Sequence, residues 1–217
     1  MFSTGVYPER LKYAEIKPLH KHGCKMDITN YRPISLLPSF SKIFEKLIYT
    51  RLLKHCDSNQ ILAKEQFGFR KRSSTDLATF NLLNEIISAL DKKLFIGGTF
   101  CDLSKAFDCV NHKILLNKLL NYGIIGISHK LISSYLTDRY QRVVISGNCM
   151  TSNSKWKIIN QGVPQGSVLG PLLFLIYIND FPNHVQPKIK TVLFADDTSM
   201  VIKSNDFREF ESAIKDT

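Results

Sequence analysis

Apolar residues recur every three to four positions in two stretches of the first half of the chain. Phe40, Ile43, Phe44, Leu47 and Ile48 share one helical face, and Leu77, Phe80, Leu83, Ile87 and Leu90 share another. The spacing predicts a helix after "YRPISLLPS" (31–39), a segment that two prolines keep extended, with Ser39 or Ser41 as cap. It predicts a second helix beginning near Ser74. Residues 14–19 read as a short strand, and "LFIGGTFCDL" (94–103) as a longer one that ends at Asp102. Asn111 suits the cap of a helix running to about Tyr122, where Gly123 stops it, and Ser128 the cap of another reaching about Leu136.

"QRVVISG" (141–147) and "KWKIIN" (155–160) look like two strands of a hairpin, and "QGVPQGS" (161–167) like a glycine-rich turn. Residues 168–179 are apolar almost all round, which predicts a central helix. A strand at 190–195, a turn at Asp196–Asp197 and a strand at 198–203 follow, then an amphipathic piece at 206–216. Mixed elements with hairpins point to an α+β fold, a small antiparallel sheet backed by helices.

Charge changes this picture more than composition does. Lys and Arg number 29 against 19 Asp and Glu, a formal +10. Residues 1–75 alone carry 14 basic and 6 acidic side chains, a balance of +8 in the first third. Such a surface attracts phosphate polyanions. The five cysteines are odd in number, contain no CxxC pair, and read as reduced thiols of an intracellular protein of nucleus or cytoplasm. His20, His22 and Cys24 lack a fourth zinc ligand at suitable spacing. "PLLFLIYI" (171–178) is too short to span a bilayer, and "MFSTGVYPERLKY" has no signal-peptide shape, so no membrane partner is expected.

The candidate chemistry lies in three aspartates. Asp196 and Asp197 sit at a hairpin tip, and Asp102 ends a separate apolar strand. Two neighbouring strands that end in acids would bring carboxylates together, an arrangement that cations must neutralise. Carboxylate oxygens with room for water and phosphate suit Mg²⁺, and paired ions serve phosphoryl transfer. Arg70, Lys71 and Arg72 in a basic loop can meet phosphate. "QGVPQG" offers backbone that a ligand can approach closely.

At this point the motifs acquire a resemblance. "FCDLSKAFDCVNH" (100–112), "QGVPQGSVLGPLLFLIYINDF" (161–181) and "FADDT" (194–198) resemble three successive motifs of reverse transcriptases. Upstream, "NYRPISLLPSFSKIFEKLIYTRL" (30–52) and "QFGFRKRSSTDLA" (66–78) look like the fingers motifs of the same enzymes. The "DLSKAFD", "FADD" and "YRPISLL" forms resemble those of non-LTR retrotransposons, above all the jockey-like LINE elements. Five motifs in the family's order cover nearly the whole chain, which is far more specific than any one of them.

The resemblance implies an RNA-directed DNA polymerase with an RNA template, a DNA primer and dNTPs as partners. It implies two Mg²⁺ ions, with Mn²⁺ as substitute, held by Asp102, Asp196, Asp197 and the Leu103 carbonyl. It places Phe107 under the incoming sugar as the gate against a 2′-hydroxyl, Gln165 and Gly166 beside the nucleotide and template, and Arg70 on the triphosphate. Lys71 and Arg72 would touch phosphate backbone, and Arg32 and Tyr31 would shape the fingers or touch template. The fold implied is the fingers (1–90) and palm (91–217, with 124–140 a helical part) of a right-hand polymerase. Residues 199–217 alone follow "FADDT", so a thumb is expected to be absent and the palm cut short at its C-terminus. A second class of function shares the charge and the fold: a basic nucleic-acid-binding remnant without catalysis. Metal-dependent nucleotide incorporation separates the two.

Overall fold

In a computed structural model, which describes residues 1–103, 105–146, 150–186 and 188–215, the chain forms eight strands and seven α-helices among those residues. In chain order they begin β1 (Tyr13–His20), β2 (Tyr31–Leu36), α1 (Ser39–Ser58), α2 (Thr75–Asp91), β3 (Phe95–Asp102), α3 (His112–Asn121) and α4 (Gly126–Leu136). They continue β4 (Arg139–Ser146), β5 (Thr151–Asn153), β6 (Lys157–Ile159), α5 (Gly170–Ile178), α6 (Phe181–His184), β7 (Ile189–Phe194), β8 (Asp197–Ser204) and α7 (Phe207–Lys215). Gly147 and Asp216, at the ends of two expected elements, and Cys149 lie outside the described residues. Packing divides the chain into two units interleaved along the sequence: Met1–Asn59 with Phe107–Tyr177, and Gln60–Ala106 with Ile178–Thr217.

The first unit carries a sheet in the order β2-β1-β4-β5, with β6 also on β4. β1 is antiparallel to β2 but parallel to β4, from Tyr13↔Tyr140 to Ile16↔Val143. The purely antiparallel expectation is corrected here, because a parallel pair needs a long crossover that no local pattern announces. The register puts Glu15 opposite Arg142, and the two form an ion pair. Tyr13 stacks on Tyr140 at 5.1 Å, and Trp156 meets Tyr13 edge-on at 5.0 Å, so Trp156 is a packed, partly exposed aromatic.

Helix α1 departs from its apolar pattern. Its buried face is Ser41, Glu45, Ile48, Leu52, Leu53 and Cys56, while Phe40 and Ile43 remain 69% and 57% exposed. Pro38 is the N-cap and makes no side-chain bond. Ser41 instead lies buried, bonded to the Tyr7 hydroxyl at 2.8 Å and to Glu45 Oε1 at 2.9 Å, so neither expected serine caps the helix. Asn111 does cap α3, accepting from Lys113 N and Ile114 N, and Gly123 ends that region at φ +81°. Ser128 lies inside α4, whose cap is Ile125. Helix α5 is buried on nearly all sides, as its composition requires, with Leu172 to Ile176 at most 2% exposed.

The second unit is built on the antiparallel sheet β3-β8-β7. Successive side chains alternate between its faces. Lys203 pairs with Glu85 of α2. The neighbouring register position, Gly97↔Ile202, faces α7, where the Phe210 ring would stand 2.9 Å from a Cβ at Gly97. So α2 covers one face and α7 the other. Ser74 caps α2 through a bond from Leu77 N at 3.1 Å. Here too the sequence stripe is largely exposed, Phe80 at 65%, and the buried α2 positions are Ala78 and Ala89. Small side chains let the helix backbone approach the sheet. Val201 and Ile202 in the central strand β8 are 2% and 1% exposed, burial worth about 2 kcal/mol for each side chain.

Candidate active site

The register of β3 on β8 brings two of the three aspartates together. Asp102, the last residue of β3, is the cross-strand partner of Asp197, the first of β8. Directly opposed residues share one face, with Cβ atoms about 4.5–5.5 Å apart. Parity with Lys203 puts both carboxylates on the face that α2 covers, and both residues are exposed. Beside Asp197 a cavity of about 210 Å³ opens between the first turns of α2 and the sheet.

The turn lies one residue earlier than the sequence suggests. Phe194 pairs with Asp197, so the two loop residues are Ala195 and Asp196. Asp197 is a ladder residue and Asp196 is the tip. Ala195 stands at φ +57°, whereas Asp196 does not have positive φ. That sign pattern belongs to the hairpin turn that prefers glycine at its first position. An alanine there costs on the order of 1 kcal/mol and persists only where its surroundings impose it.

The surroundings do impose it. Gln66 is 3% exposed. Its Oε1 accepts from Ala195 N at 2.9 Å and Gly68 N at 2.7 Å, and its Nε2 donates to Ala195 O at 3.3 Å. Phe67 N donates to Leu193 O at 2.7 Å and Leu193 N to Glu65 O at 2.8 Å, so the loop runs as a parallel bridge along β7. A Cβ at Gly68 would fall 2.1 Å from Ala195 N. The basic residues of "QFGFRKR" draw attention away from Gln66; a glutamine directly ahead of Phe67 and Gly68 is the available signal.

The remaining candidates of this unit take the following places. Arg70 is partly buried, with Nη1 donating to Ala63 O at 2.6 Å and Gln66 O at 3.3 Å. Lys71 and Arg72 are exposed, Arg72 at φ +59°. Leu103 follows β3, 39% exposed, and its carbonyl accepts from Ala106 N at 3.2 Å.

The first unit holds the rest. Phe107 stacks on Phe174 with centroids 4.8 Å apart. Gln165 Nε2 donates to Asp108 Oδ1 at 3.0 Å, and Gln165 O accepts from Ser35 N at 2.7 Å. Gly166 is exposed at φ +108°, and a Cβ there would meet Ser35 O at 2.9 Å. Behind this loop Glu45, fully buried, accepts from Val168 N at 2.7 Å and Leu169 N at 3.2 Å through Oε2. Arg139, also buried, lies 4.7 Å over the Tyr135 ring; burial pushes the Tyr135 hydroxyl up, and the charge of Glu45 adds to that shift while the charge of Arg139 opposes it. Burial pushes the Tyr7 hydroxyl of this network up from its ordinary pKa. Arg32 is exposed on β2, opposite Leu19 of β1.

No group of three or more His, Cys, Asp or Glu among the described residues is gathered into a metal cage. The aspartates nonetheless fit a divalent ion. Like charges directly opposed on adjacent strands repel, and among the described residues no Lys or Arg pairs with Asp102, Asp196 or Asp197. Mg²⁺ is commonly held by one or two carboxylates together with substrate phosphates rather than by an all-protein cage.

Comparison with known proteins gives the same direction. Residues 19–216 match the family described as reverse transcriptase (RNA-dependent DNA polymerase). The whole chain is 34% identical to the RNA-directed DNA polymerase from mobile element jockey of Drosophila melanogaster, of which it covers 24%. It is 36% identical over 92% of its length to the probable RNA-directed DNA polymerase from transposon BS of the same species, covering 22% of that protein. The chain thus spans about a quarter of the length of these relatives. In structure it resembles apo telomerase from Candida tropicalis truncated from its C-terminal domain, with TM-score 0.61 at 14% identity over 97% of this chain and 47% of that one, a likeness of fold. The chain belongs to the reverse transcriptase family, and its jockey-like resemblance is borne out.

Proposed function

We propose that this member of the reverse transcriptase family supplies the fingers (1–90) and palm (91–217) of an RNA-directed DNA polymerase. It adds dNTPs to a primer 3′-hydroxyl on an RNA template, in the service of retrotransposition. The observation that carries this reading is the pairing of Asp102 with Asp197 across β3 and β8, with Asp196 at the adjoining tip. Support comes from the match to the family model over residues 19–216.

Asp102, Asp196, Asp197 and the Leu103 carbonyl would hold two Mg²⁺ ions, for which Mn²⁺ substitutes. Such ions, when bound, make a hydroxyl a better nucleophile and stabilise the charge of a departing pyrophosphate. The chain's own work is positioning and charge placement. Arg70 binds triphosphate, for which its guanidinium must exchange bonds to two loop carbonyls for bonds to phosphate. Gln165 and Gly166 border nucleotide and template, Gly166 by leaving backbone uncovered. Phe107, fixed by its stack on Phe174, presents a rigid ring to the sugar and excludes a 2′-hydroxyl. Arg32, Lys71 and Arg72 contact nucleic-acid phosphate and set affinity rather than sequence choice.

Incorporation of labelled dNTP on a primed RNA template tests the reading. It is expected to stop with a chelator and return with added Mg²⁺. Template binding without incorporation, from folded protein supplied with metal, would favour the non-catalytic remnant instead.

A further inference from the structure

We infer that Gln66 is a positioning residue for the aspartate turn: its amide fixes the peptide groups on both sides of Ala195 and so sets the direction in which Asp196 leaves the tip. The inference rests on the polymerase reading for its catalytic consequence, but not for its geometry. In a two-residue hairpin the loop residues lie outside the strand ladder. Ala195 is nevertheless 5% exposed, so its N–H and C=O need partners from elsewhere. Gln66, 129 residues away in sequence, supplies both, an acceptor for the N–H at 2.9 Å and a donor for the C=O at 3.3 Å. The second bond to Oε1, from Gly68 N at 2.7 Å, prevents the amide from rotating.

Three further features make this a built contact. The bridge to Leu193 brings the backbone of residue 66 alongside the end of β7. Gly68 lets the loop lie against Ala195, where any side chain would collide with backbone. The left-handed conformation of Ala195 is one that alanine does not favour by itself, so an external restraint is required. The chemistry of the side chain also fits its place. A neutral amide offers both a donor and an acceptor, whereas an acid beside Asp196 and Asp197 would add to their repulsion. A tip free to relax would displace a carboxylate, and a misplacement of about 1 Å at a reacting centre costs about 100-fold in rate.

The test uses the full chain, the variant Gln66→Met, which preserves length and removes all three bonds, and Gln66→Asn, which keeps the amide but falls one methylene short. Residue-resolved hydrogen exchange is read first. In the wild type the Ala195 and Gly68 amides should be protected. In both variants they should exchange at least about 10-fold faster while Leu193, bonded to Glu65 O, stays protected. Steady-state incorporation, read well below the melting temperature that the loss of three buried bonds must lower, should show kcat reduced about 10- to 100-fold, with dNTP KM and primer–template Kd within about two-fold. A merely structural role would instead accelerate exchange throughout β7 and β8 and lower kcat only in proportion to the unfolded fraction. An unprotected wild-type Ala195 amide overturns the inference even if no variant folds, and so does a Gln66→Met enzyme with wild-type kcat. A wild-type chain that protects Ala195 but incorporates nothing sinks the polymerase reading and the catalytic role of Gln66, and leaves the bonds themselves in place.

Discussion

Two loops carry the candidate chemistry, and each is held from behind by one buried polar side chain from a remote part of the sequence. The aspartate turn is held by Gln66, and the "QGVPQGS" loop, at its junction with α5, by Glu45. The difference is charge. Gln66 uses both ends of a neutral amide on one strained residue beside two carboxylates. Glu45 uses an ionisable carboxyl group on the free N–H groups just ahead of α5, where the helix dipole favours an anion and the buried Arg139 lies nearby. The same task, closing backbone bonds that no ladder supplies, is met by opposite electrostatics because the neighbours differ in sign.

Breaking the charged brace should have the larger effect on stability. Glu45→Ala leaves two backbone donors without their acceptor and should cost about 3 kcal/mol. Glu45→Gln, which keeps a neutral acceptor, should cost about 2 kcal/mol. Denaturant titration of both variants checks the order; equal costs would mean that a neutral acceptor contributes nothing there, and a Glu45→Gln cost near zero that charge is irrelevant.

Next in size are the glycines on which each loop leans. A Cβ at Gly68 would meet Ala195 N at 2.1 Å, and one at Gly162, whose φ is +85°, would meet the Asp108 backbone at 2.8 Å. Gly68→Ala and Gly162→Ala should each cost about 2–3 kcal/mol by overpacking against backbone. Gly97→Ala is the control, because the nearest atom is the far end of the Phe210 ring at 2.9 Å, and ring movement should keep its cost below about 1 kcal/mol.

The last effect, silent at neutral pH, is a pH signal from α1, the helix that carries Glu45. Burial, then the charge of Asp57, pushes the Cys56 thiol from 9.0 up to about 11. The folded chain therefore retains this proton longer than the unfolded chain. Its contribution to stability is complete below pH 9.0 and is lost as pH rises through about 11. At pH 8 the exposed Cys24 should react with a thiol reagent while Cys56 stays protected, and Glu45→Ala should release Cys56 as well. Equal labelling of both in the wild type would contradict the buried placement.

The sequence made the motifs legible and hid what holds them. The strand end at Asp102, a helix start near Ser74 and the cap at Asn111 follow from local chemistry, and the structure has all three. The turn slipped by one residue because "FADDT" reads as an aspartate turn, whereas pairing of Phe194 with Asp197 puts alanine in the strained position. The stripes of α1 and α2 misled because the faces that became buried contain Ser41, Glu45, Ala78 and Ala89, residues chosen by hydrogen bonding and close approach rather than by hydrophobicity. Gln66 and Glu45 act across more than a hundred residues, and no periodicity reports a bond of that range. The parallel pairing of β1 with β4 escaped for the same reason.

Extension of a DNA primer on an RNA template, with Mg²⁺ and dNTPs, by the wild-type chain beside Asp196→Ala decides whether the aspartate turn is catalytic. The wild type should extend the primer and the variant should not, with template binding by both within about two-fold, because the carboxylate serves chemistry rather than affinity. Extension by both would contradict the role given to Asp196. Extension by neither, from folded protein, would contradict the polymerase reading for this chain.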